Sequence, residues 1–424
     1  MRNTGCLKAL CGVTAIICIV AGLSFTVHAK TGIKGDKPQR SSRIKDKADV
    51  AFSDTALLFE PVRDGYTMYH VPSMTITAKG TILAFAEGRF GQGKDWDDID
   101  LVMRRSTDGG KTWQPRVVII PHSTGKPTSN ITPIADKDGT VHLLFQINYQ
   151  NAFYLQSKDE GKTWTKPVDI TYVYNEFKSQ YPWQVLAPGP GHAIQLANGR
   201  LLVPTWLCVP NKKIPGGDHR PSCVATIYSD DHGKTWHRGD IIVNNGDLSA
   251  DGKDTIVNPN ESVVVQLSDG RVMMNTRNEN MVNRRLIFYS NDGATGWSKP
   301  VFDQDLYDPV CMASMVKISS DKSAVKPIIF VNADSRNDAR STKKGRPVFK
   351  PRENITARAS FDNGKTWPVF KPLFTGGSGY SDLATDKSGL IYCIYEKRDG
   401  DPNVWRYRIV MQRFNLAWLK EKQQ

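Results

Sequence analysis

Apolar positions divide the chain into three zones. An apolar run from about Ala9 to Val27 is followed by a polar, basic segment without aromatic residues, "KTGIKGDKPQRSSRIKDKAD". From about residue 50 onwards, short β-rich runs such as "DIDLVMRR" and "NITARA" alternate with polar turn segments. Because no helical periodicity of useful length separates these runs, the pattern predicts an all-β domain over residues 50–424.

The polar turn segments repeat along this domain. Five of them resemble one another, and their starts are 51, 72, 61 and 70 residues apart: "STDGGKTW" from Ser106, "SKDEGKTW" from Ser157, "SDDHGKTW" from Ser229, "SNDGATGW" from Ser290 and "SFDNGKTW" from Ser360. The aspartate can accept backbone N–H groups of a tight turn, and the Trp begins the next strand. Five repeats of roughly 60 residues leave room for a sixth, so we predict a six-bladed β-propeller of four-stranded antiparallel blades.

The aspartate in each repeat is predicted to be structural. A side chain that recurs once per blade stabilises the blade, whereas a catalytic or metal-binding group normally occurs once. This interpretation covers five residues, Asp108, Asp159, Asp231, Asp292 and Asp362.

The N-terminal zone has the pattern of an export signal. Arg2 and Lys8 precede or open the apolar run, and Val27-His28-Ala29 has the small-x-small pattern of a cleavage site. We expect residues 1–29 to be a signal peptide, residues 30–49 to be a disordered basic linker, and the protein to be secreted or periplasmic without a stable membrane anchor. The alternative is an uncleaved anchor, which the short, interrupted apolar run disfavours.

Charge and cysteine content narrow the choice of partners and cross-links. Residues 1–49 carry nine Lys/Arg and three Asp/Glu, so +6 of the formal +13 belongs to them and the remaining +7 suits an anionic ligand. The chain has no zinc-finger, basic-helix or RNA-binding signature, so no nucleic-acid partner is expected. Cys208 and Cys223 could form a disulfide across a hairpin, whereas Cys311 and Cys393 lie in apolar strands and are expected to be buried thiols.

Beyond the turn segments, longer stretches carry specific motifs in a fixed order. They are "GTILAFAEGRFGQGKDWDDIDLVMRRSTDGGKTW", "GPGHAIQLANGRLLVP", "PNESVVVQLSDGRVMMNTR", "RENITARASFDNGKTW" and "YSDLA" followed by "YCIYEK". From about Tyr69 to Lys397 they resemble the blades of the bacterial exo-α-sialidase (neuraminidase) family within the Asp-box, or BNR-repeat, superfamily. The resemblance implies release of a terminal α-linked sialic acid or a related 2-keto-3-deoxy sugar acid from a glycan, with retention of configuration and without metal or cofactor.

The resemblance also implies three catalytic residues. Tyr380 in "GYSDLA" matches the family's nucleophile, Glu261 in "PNES" matches the base that takes its proton, and Asp95 in "GKDWDD" matches the acid that protonates the leaving oxygen. The choice of a tyrosine has a physical reason, because an enzyme carboxylate attacking beside the substrate's own carboxylate would meet like-charge repulsion. A phenol is a poor nucleophile at neutral pH and needs an adjacent base.

A second set of residues matches the family's binding pocket. Arg277 and Arg352 match two of the three arginines that clamp the substrate carboxylate, for which the guanidinium fork is well suited. Glu87 and Arg89 in "AEGR" match residues near the ring hydroxyls, and Glu396 matches the glutamate that steadies the first arginine. Weaker candidates for the pocket wall are Asn130, Gln184, His192 and Trp206.

The first clamp arginine is replaced in this chain. The family's Tyr/Phe-Arg-Ile-Pro motif reads Tyr69-His70-Val71-Pro72, so two arginines and a histidine would hold the carboxylate. Three hypotheses follow: hydrolysis of an α-linked sialic acid with His70 donating one hydrogen bond, the same fold and mechanism on a different acidic sugar, or a propeller that binds glycans without cleaving them. The presence of Tyr380, Glu261 and Asp95 disfavours the third, because a binding protein has no need for them.

Overall fold

The computed structural model describes residues 50–213, 217–336, 350–398 and 406–421. These ranges belong to one compact unit that spans residues 45–424. The predicted signal peptide and linker, residues 1–49, lie outside the described residues. Among the helices in the described ranges, none combines the length and the hydropathy that a membrane span requires.

The described residues are dominated by β-strands, as the apolar pattern predicts. In chain order the strands are β1 (Ser53–Phe59), β2 (Met68–Ile76), β3 (Ile82–Arg89), β4 (Ile99–Ser106), β5 (Val117–Ile120), β6 (Thr128–Ala135), β7 (Val141–Ile147), β8 (Asn151–Ser157), β9 (Val168–Asp169), β10 (Val185–Pro188), β11 (Ile194–Gln195), β12 (Leu201–Cys208), β13 (Ser222–Ser229), β14 (His237–Asn244), β15 (Ser262–Gln266), β16 (Val272–Thr276), β17 (Arg284–Ser290), β18 (Val301–Tyr307), β19 (Ser314–Lys317), β20 (Ile328–Ala333), β21 (Glu353–Ser360), β22 (Val369–Thr385), β23 (Ile391–Arg398) and β24 (Tyr407–Phe414). Helical segments in these ranges are short: α1 (Thr171–Asn175), α2 (Leu416–Lys420) and two 3-10 turns, Glu176–Ser179 and Gly217–His219.

Neighbouring strands pair antiparallel into consecutive sheets. Four sheets are formed by β2–β5, β6–β9, β10–β14 and β15–β18, and a seven-stranded sheet has the order β1-β24-β23-β22-β21-β20-β19. The long strand β22 pairs with β21 up to Gly377 and with β23 from Ser378 onwards, so this sheet consists of two four-stranded units. The all-β propeller prediction is confirmed, and the pairing of the described strands divides them into six units.

The first strand of each unit lies on the inside of the molecule. Strand β2 contacts β6 and β22, and β19 contacts β15 and β22. Apolar side chains fill the space between neighbouring sheets, as in the cluster that joins Leu83 and Phe85 to Leu143 and Phe145. The inner strands of the units therefore bring residues that are distant in sequence close together around the axis of the propeller.

Each repeated turn segment closes on its own aspartate. Asp362 Oδ1 accepts the N–H groups of Lys365 and Thr366, both at 3.0 Å, and Asp362 Oδ2 accepts Thr366 Oγ1 at 2.6 Å. The aspartates of the other four copies hold their turns in the same way: Asp108, Asp159, Asp231 and Asp292. At Asp292 the bonded threonine is three residues further along the chain instead of four, because the glycine of this copy is displaced. The structural interpretation of these aspartates is confirmed.

The cysteine expectations have mixed outcomes. The disulfide considered for Cys208 and Cys223 is wrong, because both thiols are free. Cys223 lies opposite Leu207, and Cys208 lies opposite Ser222, so the strand register directs the two cysteines to opposite faces of the sheet. Cys311 and Cys393 are buried thiols as expected, although Cys311 lies in the segment before β19 rather than in a strand.

Candidate active site

One cavity of about 350 Å³ collects most of the predicted site residues. Its lining includes the three proposed catalytic residues, Tyr380, Glu261 and Asp95, and four proposed binding residues, His70, Arg89, Arg277 and Arg352. Glu87 and Glu396 are fully buried behind this wall. The structure therefore brings residues of four different units to one place.

Irregular backbone at the inner strands directs several of these side chains into the cavity. Strand β2 shifts register between His70 and Ser73, and β22 shifts between Ser378 and Ser381, next to Tyr380. Val71 has φ +49°, a conformation that β-branched residues rarely adopt. Its N–H donates to Glu396 Oε1 at 2.9 Å, which holds the strained residue in place.

Tyr380 and Glu261 form a hydrogen-bonded pair. The Tyr380 hydroxyl donates to Glu261 Oε1, and Arg277 donates both to Glu261 Oε2 and, at 2.9 Å, to the Tyr380 oxygen. Burial, together with the negative charge of Glu261, raises the pKa of Tyr380 well above its usual value, against the opposing effect of Arg277 and Arg352. The Tyr380 phenol is therefore protonated, and its hydroxyl proton is directed at the Glu261 carboxylate.

Asp95 belongs to a separate ion-pair chain. Arg89 Nη1 donates to Asp95 Oδ1 at 2.7 Å, while Arg89 Nε donates to the buried Glu87 at 2.9 Å. Burial alone would raise the pKa of Asp95, but the Arg89 guanidinium outweighs it and holds that pKa below its usual range. Asp95 is therefore a carboxylate in the unliganded cavity, and its side chain is 46% exposed.

Arg352 differs from Arg89 and Arg277, which also line the cavity. Its Nη2 donates to the Val310 carbonyl at 2.9 Å, and its guanidinium carbon lies 5.3 Å from the centre of the Tyr380 ring. Among the described residues it has no carboxylate within ion-pair distance. Arg352 thus presents a positive charge beside Tyr380 that an anionic ligand can neutralise.

His70 is held by the glutamate that the resemblance assigns to a clamp arginine. His70 Nδ1 forms a hydrogen bond with Glu396 Oε1, and Glu396 Oε2 accepts the N–H of Tyr380 at 2.7 Å. The imidazole also stacks on Tyr407, with ring centres 5.7 Å apart and planes at 13°. Because a carboxylate is an acceptor, Nδ1 carries a proton and Nε2 is the nitrogen left for a ligand.

Four aromatic side chains form a wall of the cavity beside Asp95, and the sequence analysis predicts most of them neither as site residues nor as neighbours. Trp96, Tyr149, Trp206 and His219 contact one another, with ring centres 4.8 Å apart for Trp96 and Tyr149 and 5.4 Å apart for Trp206 and His219. Burial lowers the pKa of His219, and its buried Nε2 has no hydrogen-bond partner among the residues that the structure describes. Of this wall only Trp206 was a sequence candidate, because no local motif distinguishes the other three from ordinary loop residues.

The weaker candidates for the pocket wall separate into two groups. Asn130 and Trp206 line the cavity, whereas Gln184 and His192 do not. His192 is drawn away by Asp382, whose Oδ1 lies 2.7 Å from His192 Nδ1. Asp382 also accepts the Met74 N–H at 2.9 Å and the Ser314 hydroxyl at 2.8 Å, so it ties several inner strands together below the site.

A cluster of possible metal ligands lies outside the lining of this cavity. Asp136, Asp138 and His232 place ligand atoms within 4.8 Å of one another. Asp136 already accepts hydrogen bonds from Gln195 at 2.8 Å and from the backbone of Asp138 at 3.0 Å, and it pairs with His232 at 2.7 Å. The cluster is therefore explained by a hydrogen-bonded ion pair between Asp136 and His232, which joins two neighbouring units.

Comparisons with known proteins agree with the fold and the motifs. The model of the BNR repeat-like domain matches residues 80–393. A sialidase of Micromonospora viridifaciens is 29% identical over 392 residues, which cover 84% of this chain and 53% of that protein. A sialidase of Bacteroides fragilis is 26% identical over 367 residues, covering 78% of this chain and 60% of the relative, so this chain spans little more than half the length of both relatives.

Solved structures support the same architecture. The Hadza microbial sialidase Hz136 superimposes with a TM-score of 0.68 at 23% identity, covering 86% of this chain and 69% of that one. The intramolecular trans-sialidase from Ruminococcus gnavus, solved with oseltamivir carboxylate, superimposes with a TM-score of 0.66 at 17% identity, covering 87% of this chain and 99% of that one. At these identities the likeness establishes the fold.

Proposed function

Because this chain belongs to the BNR repeat-like family of sialidase-type propellers, we propose that it is a glycosidase that releases a terminal α-linked sialic acid, or a related 2-keto-3-deoxy sugar acid, from glycans. The observation that carries the proposal is the Tyr380–Glu261 pair, which lines the same cavity as Asp95, Arg277 and Arg352. The proposed reaction is exo-acting, proceeds with retention of configuration, and uses Tyr380 as the nucleophile.

Tyr380 is proposed to lose its phenolic proton only as its oxygen attacks the sugar. The raised pKa of Tyr380 keeps the phenol neutral while the anionic sugar binds, which avoids repulsion between two negative charges. Glu261 takes the phenolic proton as the oxygen bonds to the anomeric carbon. Arg277 contacts both oxygens and stabilises the negative charge that passes between them.

Asp95 is proposed to protonate the leaving oxygen and later to activate water. Its ion pair with Arg89 makes it a carboxylate in the unliganded site, so substrate binding must raise its pKa before it can act as an acid. An anionic sugar supplies this effect, because a nearby negative charge and the exclusion of water both disfavour the carboxylate form.

The substrate carboxylate is proposed to bind between Arg277, Arg352 and His70. Arg352 supplies a charge that has no carboxylate partner among the described residues, and His70, whose Nδ1 bonds Glu396, can donate Nε2–H to the substrate carboxylate as an imidazolium. A single imidazole N–H is a weaker donor than an arginine fork. His70 therefore favours a second candidate function, in which the same mechanism acts on a different acidic sugar.

Turnover of acidic-sugar glycosides tests the proposal. Fluorogenic α-glycosides of N-acetylneuraminic acid, its deaminated analogue and Kdo should be screened between about pH 4 and 8. We expect turnover of at least one, with the α-anomer released first in an NMR time course. Tyr380→Phe should lower kcat by about 100-fold or more while leaving sugar binding within a fewfold. Absence of turnover on all three would favour a non-catalytic glycan-binding propeller.

Cellular location and partners are part of the same proposal. The export pattern of residues 1–29 supports a secreted or periplasmic protein that meets glycans or glycoconjugates outside the cytoplasm. Detection of the chain lacking residues 1–29 in the culture medium or periplasm would support it, and retention of the full chain in the cytoplasm would overturn it.

A further inference from the structure

Two further cavities lie at the opposite end of the propeller from the candidate active site. Their volumes are about 550 and 330 Å³, and because Lys137 and Thr385 line both, the two adjoin each other. His70 of β2 lines the candidate active site, whereas Ile76, the last residue of the same strand, lines the larger of these distal cavities. At about 3.3 Å per strand residue, the two residues are roughly 20 Å apart.

The distal cavities surround the axis of the propeller. Together they are lined by the last residues of six strands, one from each unit, so every unit contributes to them. These residues are Ile76 of β2, Ala135 of β6, Gln195 of β11, Gln266 of β15, Lys317 of β19 and Thr385 of β22.

Lysine side chains from four different units line the distal cavities. They are Lys79, Lys137, Lys317 and Lys387. Three of the amines contact a backbone carbonyl of a neighbouring unit, with Nζ···O distances of 3.3 Å from Lys137 to Leu196, 3.5 Å from Lys317 to Leu267 and 2.9 Å from Lys387 to Ala78. Because an ammonium group has three N–H donors, each amine keeps donors for a ligand. The lysines that form ion pairs within the described ranges are two others, Lys253 and Lys371.

The two carboxylates that described residues contribute to the lining are bonded to other groups. Asp386 accepts the Ser388 N–H at 2.8 Å and the Tyr392 hydroxyl at 3.1 Å. Asp136 pairs with His232 at 2.7 Å. Four lysines against these two aspartates leave an excess of positive charge, so the distal cavities suit an anion.

Lys317 shows that this positive charge is concentrated. Burial, together with the positive charges of Lys326 and Lys137, lowers the pKa of the Lys317 amine. Asp269 opposes this effect, but it is paired with Arg271 at 2.7 Å. Like charges that are brought together at a partly buried position disfavour one another, and an anion bound between them would relieve that repulsion.

From this arrangement we propose that the distal cavities bind a small soluble molecule with two phosphate groups, one in each cavity, on either side of Lys137. Lysine ammonium groups act as point charges that suit phosphate, whereas a planar carboxylate is better matched by the fork of arginine. Ser319 and Thr385 add hydroxyl groups to the lining. The concave shape of the site suits a small molecule and not a flat membrane surface. This site takes no part in the proposed glycosidase reaction.

Calorimetric titration with inorganic pyrophosphate tests the site. We expect a Kd below about 100 µM at low ionic strength, where screening is weakest, and at least a tenfold weaker Kd for the double variant Lys137→Gln/Lys317→Gln. Lys158→Gln/Lys234→Gln is the matched control, because it removes the same charge at exposed positions outside the lining of these cavities and of the candidate active site. The control should bind pyrophosphate within about twofold of the wild type.

Thermal unfolding checks that both double variants are folded. Each should have a Tm within about 2 °C of the wild type without ligand, and 1 mM pyrophosphate should raise Tm of the wild type and the control but not of Lys137→Gln/Lys317→Gln. No binding by the wild type, or equal binding by the two double variants, would overturn the proposal.

Two further measurements separate the distal cavities from other sources of anion binding. Arg352→Gln, which removes a positive charge from the candidate active site, should leave the Kd for pyrophosphate within about twofold. Loss of pyrophosphate binding in this variant but not in the lysine double variant would place the anion at the candidate active site and overturn the proposal. Vesicles of phosphatidylglycerol carry phosphate on a flat surface, and binding to them in preference to pyrophosphate would overturn the small soluble ligand.

Discussion

At the scale of single residues, most charged side chains of the candidate active-site cavity are paired with one another, and a few groups are left available. Arg277 is paired with Glu261, and Arg89 with Glu87 and Asp95. Under the proposed function, Arg352 and the His70 imidazolium are left to contact the substrate carboxylate, so the identity of residue 70 should affect which sugar is accepted.

Replacing His70 with arginine tests that dependence. Arginine can pair with Glu396 and present a bidentate fork to the substrate carboxylate, so His70→Arg should raise kcat/KM for an N-acetylneuraminic acid glycoside about tenfold. His237→Arg on β14 makes the same substitution at an exposed position outside the cavity and should leave kcat/KM within twofold. Loss of activity on the preferred sugar would instead make His70 a device for selecting another substrate.

The role of Asp95 predicts a dependence on the leaving group and on pH. Asp95→Asn should lower kcat/KM for a natural glycan about 1,000-fold but much less for an aryl glycoside, whose leaving group needs no proton. Because a general acid acts when protonated and Arg89 depresses the pKa of Asp95, wild-type kcat/KM should decline as pH rises from about 5 to 8.

The same experiment distinguishes Asp95 from its neighbours. In Asp95→Asn the decline toward higher pH should be lost for the natural glycan, whose leaving group needs the proton. Asp98→Asn is the matched control, because Asp98 bonds the Gly125 N–H and does not line the cavity. A leaving-group-dependent loss in Asp98→Asn would move the acid role away from Asp95.

At the scale of elements, the repeated turn segments stabilise their own hairpin and also contact the neighbouring unit. The aspartate closes its own turn, and the residue after it reaches the preceding unit: Glu160 accepts from Thr77 Oγ1, His232 pairs with Asp136, and Asn363 Oδ1 accepts the Ser268 N–H at 3.1 Å. The repeat therefore stabilises both a hairpin and the contact between neighbouring units, at a distance from the chemistry.

Removing one of these aspartates should affect stability and not catalysis. Burial would raise the pKa of Asp362, but the hydrogen bonds from Thr366 outweigh it and lower that pKa. A carboxyl whose pKa is lowered by folding stabilises the fold above its unfolded pKa, near 3.9, and loses this effect as pH falls through the folded pKa. Asp362→Ala should therefore lower Tm by about 2–4 °C at pH 6 and by less near pH 3, with kcat unchanged.

The control for this stability test lies in the same turn. Lys365 bonds Asp362 through its backbone N–H, and its side chain makes no hydrogen bond or ion pair with a described residue. Lys365→Ala should therefore keep Tm within about 1 °C of the wild type at both pH values. A change in kcat for Asp362→Ala, or a Tm difference that grows toward pH 3, would contradict the structural role.

At the scale of the whole molecule, the two ends of the domain meet in one sheet. Strand β1 pairs with β24 from Ser53 opposite Phe414, and Arg413 Nε donates to Asp54 at 2.7 Å. Without β1 the last unit would keep three strands and expose an unpaired edge.

Truncation at two points tests this closure. A chain of residues 50–424 should have a Tm within about 2 °C of one that begins at residue 30, whereas residues 60–424 should lose 10 °C or more, or fail to fold. Asp54→Ala provides a milder change that should lower Tm by a few degrees. Equal stability of the 50–424 and 60–424 chains would show that β1 does not close the fold.

Local patterns by themselves determined the class of fold. Alternating β-rich runs and five related Asp-containing turn segments predict antiparallel hairpins in a repeating all-β architecture, because turn chemistry and strand propensity act over a few residues. The motifs around Tyr380, Glu261, Asp95, Arg277 and Arg352, through their resemblance to a known family, named residues that the fold places in one cavity. Glu261, Arg277 and Arg352 adjoin strand ends, whereas Tyr380 lies within β22 and Asp95 in the β3–β4 loop.

Only the tertiary structure decided contacts between distant segments. It excluded a Cys208–Cys223 disulfide through a one-residue register difference, drew His192 to Asp382, and brought Trp96 and His219 together as one wall. It also placed Gln184 outside the candidate active-site cavity. These outcomes depend on strand register and on packing between units, which residues far apart in the sequence set jointly and no local pattern encodes.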